Sequence, residues 1–184
     1  MRNKKIAVIG LGYVGLPVAV LFASKYEVIG YDVNPKRTDS INNYKDETLE
    51  IKSNKLKNVL NNNLTVSNDI KSISDCNIYI ITVPTPINHD KTPDLSMILD
   101  ATESVGNFIS KGDIVIYEST VYPGCTEEKC IPILEKISGL KFNKEFYCGY
   151  SPERINPGDK TKNLNNINKI VAFNDKNLKR VSVV

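Results

Sequence analysis

The sequence predicts an α/β fold, a doubly wound parallel sheet in a single domain. Three observations carry this reading. Short continuous apolar runs recur along the chain, helical segments separate them, and the first run leads straight into a glycine-rich turn that opens a helix. Ile6-Ala7-Val8-Ile9 has no polar alternation, the pattern of a strand covered on both faces. A helix follows over 14–23, rich in Ala, Leu and Val, with Pro17 tolerated because it falls in the first turn. Glu27-Val28-Ile29-Gly30-Tyr31 is the second strand. Beyond it the spacing predicts a helix from about Pro35, a Lys/Asn-rich helical stretch over 55–60 and a short strand over 64–66. A strongly apolar strand over 78–83, a helix over 95–109, a strand over 114–117, a helix over 127–137 and a strand over 146–150 continue the alternation. Repeated strand and helix units joined by right-handed crossovers leave few other arrangements. The Asn/Lys-rich stretch 160–168 reads as a surface loop, and a helix-like start over 175–180 runs into Val184, so the chain reads as truncated.

A chain of 184 residues, 41% hydrophobic and 24% charged, suits one globular domain with a full core. The 24 Lys and Arg residues barely outnumber the 21 Asp and Glu residues and are scattered, which argues against nucleic acid or an anionic membrane as partner. No apolar run approaches the ~18–20 residues of a membrane span. The start at 6–10 is too short for a signal peptide, so a cytoplasmic location is expected. Cys76, Cys125, Cys130 and Cys148 form no CxxC pair, and His89 is the only histidine, so metal binding and disulfides are both disfavoured. Cys76 and Cys148 lie in apolar runs and read as buried inert thiols. His89, on a Pro-rich loop, reads as a surface residue.

Gly10-Leu11-Gly12-Tyr13-Val14-Gly15 is GxGxxG between a strand and a helix, with Asp32 seventeen positions after Gly15 at the end of the second strand. In this Rossmann-type setting Gly10 permits the tight turn, Gly12 lets backbone amides approach a pyrophosphate, and Gly15 lets the helix pack closely on the sheet. Tyr13 and Val14, within the same motif, are expected to bind the cofactor with the glycines, and the helix N-terminus offers free N–H groups and a partial positive charge to the phosphates. Asp32 is expected to accept from the adenosine ribose hydroxyls and to disfavour the extra phosphate of NADP, so the expected cofactor is NAD. Arg37 is the complication: it can accept a 2′-phosphate, or equally lie over the adenine or ribose edge.

Ligands of open α/β sheets sit outside the carboxyl ends of the strands. Thr82-Val83-Pro84-Thr85-Pro86, Glu118-Ser119-Thr120-Val121-Tyr122-Pro123-Gly124 and Ser151-Pro152-Glu153-Arg154 each follow a strand and should converge on the cofactor. Together with GLGYVGLP from Gly10, the strand ending in Asp32, and Arg37 beyond it, PTP from Pro84, ESTVYPG from Glu118 and YSPERINPG from Tyr150 make the chain resemble the UDP-glucose/GDP-mannose dehydrogenase family. The resemblance runs over essentially all 184 residues, as that family's N-terminal NAD-binding domain.

The resemblance implies oxidation of a UDP-sugar C6 alcohol to aldehyde and then to acid with two NAD, in the supply of surface polysaccharide precursors. It implies that Thr85 and Thr120 lie near the cofactor, and that Thr120 also helps position a proton or water. It implies that Glu153 acts as general base or orients water during thioester hydrolysis, and that Glu153, Arg154, Ile155 and Asn156 contact the substrate. The family's thioester-forming cysteine, lysine and asparagine would lie beyond Val184, in central and C-terminal domains absent from 1–184. The isolated chain is therefore expected to be inactive, and the full-length enzyme to be a homo-oligomer. Where UDP-glucose dehydrogenases continue PEFL with an acidic residue, this chain has Pro157, and its PERxxPG form is similar to the branch acting on UDP-N-acetylhexosamines. The GlcNAc, GalNAc and ManNAc forms stay open. Two rivals remain: another β-hydroxyacid-type dehydrogenase, and a stand-alone NAD-binding or regulatory module.

Overall fold

In the computed structural model, residues 3–151 and 172–173 are described. The strands are β1 (Lys5–Ile9), β2 (Glu27–Tyr31), β3 (Leu64–Ser67), β4 (Ile78–Ile81), β5 (Ile114–Tyr117), β6 (Tyr147–Tyr150) and β7 (Ala172–Phe173). They form one seven-stranded sheet in the order β3-β2-β1-β4-β5-β6-β7. β1 to β6 pair in parallel, whereas β7 pairs antiparallel with β6. That antiparallel edge is an addition to the parallel sheet expected from the sequence. The helix-like stretch 175–180 and the loop 160–168 lie outside the described residues.

The unbroken apolar strands follow from a sheet covered on both faces. Ile6 and Val8 of β1 join a core with α1 (Gly15–Phe22), α2 (Pro35–Asn42) and α3 (Ser53–Leu60). Ala7 and Ile9, the alternate residues, join the opposite core with α4 (Ser96–Gly106) and α5 (Ile131–Ser138). β4 and β5 divide the same way: Ile80 and Ile116 go to the first core, Tyr79, Ile81, Val115 and Tyr117 to the second. A polar residue at any of these positions would meet a helix on whichever side it pointed. The buried Tyr117 hydroxyl is satisfied by Thr102 at 3.1 Å and that of Tyr79 by the Cys76 carbonyl at 2.9 Å, so neither phenol is stranded in the core.

Local chemistry sets the element ends. The Asn34 side chain accepts from Lys36 N at 3.0 Å and Pro35 occupies the first turn, which starts α2. Asp69 caps a 3₁₀ turn over Ile70–Ile73, an element the periodicity did not announce. α5 stops at Gly139, whose φ of +71° is the left-handed cap. The single helix expected over 127–137 is two elements, a π-helical turn over Thr126–Cys130 followed by α5. Pro132 accounts for the break. It has no N–H to give the Glu128 carbonyl and its ring crowds that oxygen, so the turn before it widens to i→i+5 bonding.

All four cysteines are buried free thiols. Burial pushes the Cys76 thiol up to about 12 and that of Cys130 up to about 11, and raises those of Cys125 and Cys148 as well. Since the thiolate is the reactive form, a colorimetric thiol titration at neutral pH should count fewer than about one thiol per chain in the native state. It should count all four in guanidinium. Rapid native reaction of two or more would contradict the packing of the core under α4 and α5, which holds Cys76, Cys130 and Cys148. Among the described residues no cluster of three His, Cys, Asp or Glu side chains could hold a metal, and no helix is long and apolar enough to cross a membrane.

Candidate functional site

β1 and β4 are neighbours, and the helices that follow them lie on opposite faces, so a crevice opens at their carboxyl ends. Gly10 leaves β1 with φ of +89°, a conformation that favours glycine, while its N–H donates to the Tyr31 carbonyl at 2.8 Å. A Cβ on Gly15 would overlap the Gly10 carbonyl oxygen and the Thr82 hydroxyl, so α1 can approach the sheet this closely only without a side chain there. Gly12 is different. A Cβ there would meet nothing within 4 Å, so the packing of the protein does not require a glycine at this position. The N-terminus of α1 has no side-chain cap and no acidic residue in its first turn, which leaves its amides and partial positive charge to an anion. Tyr13 is exposed and Val14 half-buried beside it.

Leu11 is gripped from both sides. Its N–H donates to Asp32 Oδ2 at 2.8 Å, and its carbonyl accepts from Arg37 Nε at 2.8 Å. Its side chain is fully buried against Gly30 in the middle of β2, where a Cβ would come within 3.0 Å of it. Asp32 also accepts from Asn34 N at 2.9 Å through Oδ1, so its carboxylate, at the end of β2, is oriented by two backbone amides. Arg37 is buried, and its Nη2 donates to Asp46 Oδ1 at 2.8 Å. Asp46 in turn accepts from Thr48 N and Oγ1 and from Glu50 N and Ile51 N, at 2.7–3.0 Å. Burial alone would raise this carboxyl, but the bonds from Thr48, Ile51 and Arg37 together hold it below its ordinary 3.8.

The loops after β4 and β5 are stitched together over the crevice. The Thr82 hydroxyl reaches the carbonyl oxygens of Ile9 at 2.9 Å and Gly10 at 2.7 Å, tying the end of β4 to the glycine turn. Ser119 donates to the Val83 carbonyl and Thr85 to the Thr120 carbonyl, which brings the PTP and ESTVYPG segments side by side. The Thr120 residue is exposed on that rim, while Glu118 is buried at the end of β5 with its N–H donating to Ile81 O at 2.8 Å. A cavity of about 130 Å³ opens between Tyr122, Glu127, Phe142 and Tyr150, at the point where β6 ends.

Residues 4–183 match the UDP-glucose/GDP-mannose dehydrogenase family, NAD binding domain. The chain belongs to this family. It is 55% identical over 91% of its length to a UDP-N-acetyl-D-glucosamine 6-dehydrogenase of Salmonella typhi, covering 39% of that protein. It is 51% identical over 92% of its length to Protein CapL of Staphylococcus aureus, again covering 39%. Among solved structures, a UDP-D-ManNAc dehydrogenase from Pyrococcus horikoshii superposes on 84% of the chain with a TM-score of 0.80 at 40% identity, covering 37% of that protein. The chain thus spans about two fifths of the length of the curated relatives it matches.

The cofactor of this family domain is NAD, and the residues present suit it. The open cradle at Gly12 and the uncapped α1 match a pyrophosphate, and the oriented Asp32 carboxylate matches ribose hydroxyls. Of the positions singled out in the sequence, Gly10, Gly12, Tyr13, Val14, Gly15, Asp32, Arg37, Thr85 and Thr120 gather around one crevice at the carboxyl edge. Glu153, Arg154, Ile155 and Asn156 lie outside the described residues. Sequence reasoning missed Thr82 as the tie on the glycine turn, and it missed Asp46 altogether. Thr82 could have been found from its place at a strand end facing the turn; Asp46 belongs to no motif and is visible only through its bonds.

Proposed function

We propose that the chain is the NAD-binding N-terminal part of a nucleotide-sugar 6-dehydrogenase. That enzyme oxidises the C6 hydroxyl of a UDP-N-acetylhexosamine to the uronic acid by two successive hydride transfers. The observation that carries this reading is the 55% identity to a UDP-N-acetyl-D-glucosamine 6-dehydrogenase across 91% of the chain, which favours the gluco epimer as first candidate. NAD, held in this site, would supply the hydride acceptor. The chain's own residues do the rest on this side of the active site: the glycine turn and α1 hold the pyrophosphate, and Asp32 holds the adenosine ribose. Thr85 and Thr120 face the reacting end, with Thr120 positioning a proton or water. In the same reading Glu153 is the base or water-holding carboxylate of the hydrolytic stage, and Arg154, Ile155 and Asn156 contact the sugar nucleotide. The enzyme would work in the cytoplasm as a homo-oligomer and supply precursors of a surface polysaccharide, its central and C-terminal domains completing the site.

The test has two arms. Calorimetric titration of the 184-residue chain should show binding of NAD and NADH. The complete enzyme, given UDP-N-acetylglucosamine and NAD, should form NADH and the uronate. NAD binding without oxidation of any UDP-N-acetylhexosamine by the complete enzyme would refute the substrate and leave only a dinucleotide-binding module.

A further inference from the structure

We propose that Asp46 is a specificity-determining residue that keeps the site selective for NAD over NADP, acting by neutralising Arg37; this rests on the glycine turn being the NAD site. The adenosine ribose of a dinucleotide fold sits at the end of the second strand, here at Asp32. An arginine close to that point is the group that takes a 2′-phosphate, because its planar fork can donate two parallel bonds to one anion. Arg37 stands in the first turn of α2, directly beyond β2, yet its fork is already occupied. Nη2 donates to Asp46 Oδ1 and Nε to the Leu11 carbonyl, both at 2.8 Å, and only Nη1 lacks a partner among the described residues. Nη1 is itself buried, so the edge that would pair Nη1 with Nη2 on a phosphate is closed, and the Nε–Nη2 edge is spent on Leu11 and Asp46.

The pair is also fixed in place. The side chains of Arg37 and Asp46 are 9% and 0% exposed, and four further hydrogen bonds from Thr48, Glu50 and Ile51 wrap the 46–51 loop around the Asp46 carboxylate. Asp46 cannot swing away to release the guanidinium without abandoning all of them. Asp32, Arg37 and Asp46 together carry a net charge of −1, so an incoming phosphate meets repulsion in spite of the arginine beside it. Removing the Asp46 charge would bring the sum to zero and free Nη2 to turn toward the ligand.

Dissociation constants of the 184-residue chain for NADH and NADPH, read by competition and nucleotide fluorescence, decide this. Asp46→Asn should raise NADPH affinity relative to NADH by about tenfold or more, the worth of one charge-assisted bond to phosphate. The double variant Asp46→Asn/Arg37→Gln should lose that gain, which a merely structural role for Asp46 would not produce. Circular dichroism establishes that each variant is folded. The unmodified chain provides a second measure that needs no variant. Between about 20 mM and about 0.5 M salt, its NADPH affinity relative to NADH should rise, because screening weakens a repulsion. A relative affinity that falls with salt means Arg37 is open to the phosphate and overturns the proposal, as does a folded Asp46→Asn chain with the parent's preference. A parent chain that binds neither nucleotide would instead remove the NAD reading itself.

Discussion

Gly15→Ala lowers the melting temperature by about 6–12 °C and abolishes NAD binding with it. The new methyl group would occupy the space of the Gly10 carbonyl oxygen and the Thr82 hydroxyl. The hydroxyl can rotate away, but the carbonyl is backbone. It is fixed by the Gly10 N–H bond to Tyr31 O on one side and by the Thr82 contact on the other. Relief therefore requires α1 to move off the sheet, opening the layer in which Leu16, Ala19 and Val20 pack on Ile6 and Val8. Overpacking of this kind costs about 3 kcal/mol, and for a chain of this length each kcal/mol is worth about 2–4 °C. Moving α1 also withdraws its N-terminal amides from the phosphate position, so cofactor binding fails with the packing. Thr82→Ala should not rescue the variant, since it removes only the softer of the two obstacles. Thermal denaturation of the three chains checks this, and a Gly15→Ala melt within about 2 °C of the parent would show that the helix is not seated as described.

The strands and the glycine turn were legible in the sequence because each is dictated locally. β1, β4 and β5 read as unbroken apolar runs because residues on both faces meet helices, and within GxGxxG the positive φ of Gly10 and the lack of room at Gly15 are demands a local pattern can carry. Element ends were less legible. The strand expected over 78–83 stops at Ile81, because the Thr82 hydroxyl is drawn to Gly10 and Pro84 has no N–H for a ladder. The π turn before α5 depends on how a widened turn packs ahead of Pro132, and a helical period does not report it. Least legible was the Arg37–Asp46 pair. Arg37 was open to two readings in the sequence, and only the fold shows its guanidinium committed to Leu11 and Asp46. The bonds that decide its role span 26 and 9 positions, beyond the reach of any local pattern.

Gly12→Ala should separate what Gly15→Ala joins, leaving the fold intact while weakening NAD binding about 100-fold. Gly12 does not have the positive φ that demands glycine, and a Cβ there would touch nothing within 4 Å. Alanine can take that conformation, and by restricting the unfolded chain it should hold stability level or raise it by about 0.4–1 kcal/mol. The methyl group would project into the open space before the uncapped end of α1, where the pyrophosphate must approach the backbone. Displacing the phosphates weakens hydrogen bonds to a charged group, each worth about 1.5–3 kcal/mol, so losing one or two of them accounts for the expected fall. Calorimetry with NAD and a thermal melt, run on the same preparation, read the two quantities separately. Unchanged affinity in a folded Gly12→Ala chain would place the pyrophosphate elsewhere along the crevice. A large loss of stability would instead mean that Gly12 serves the packing of the turn, and that its bareness is not kept for the ligand.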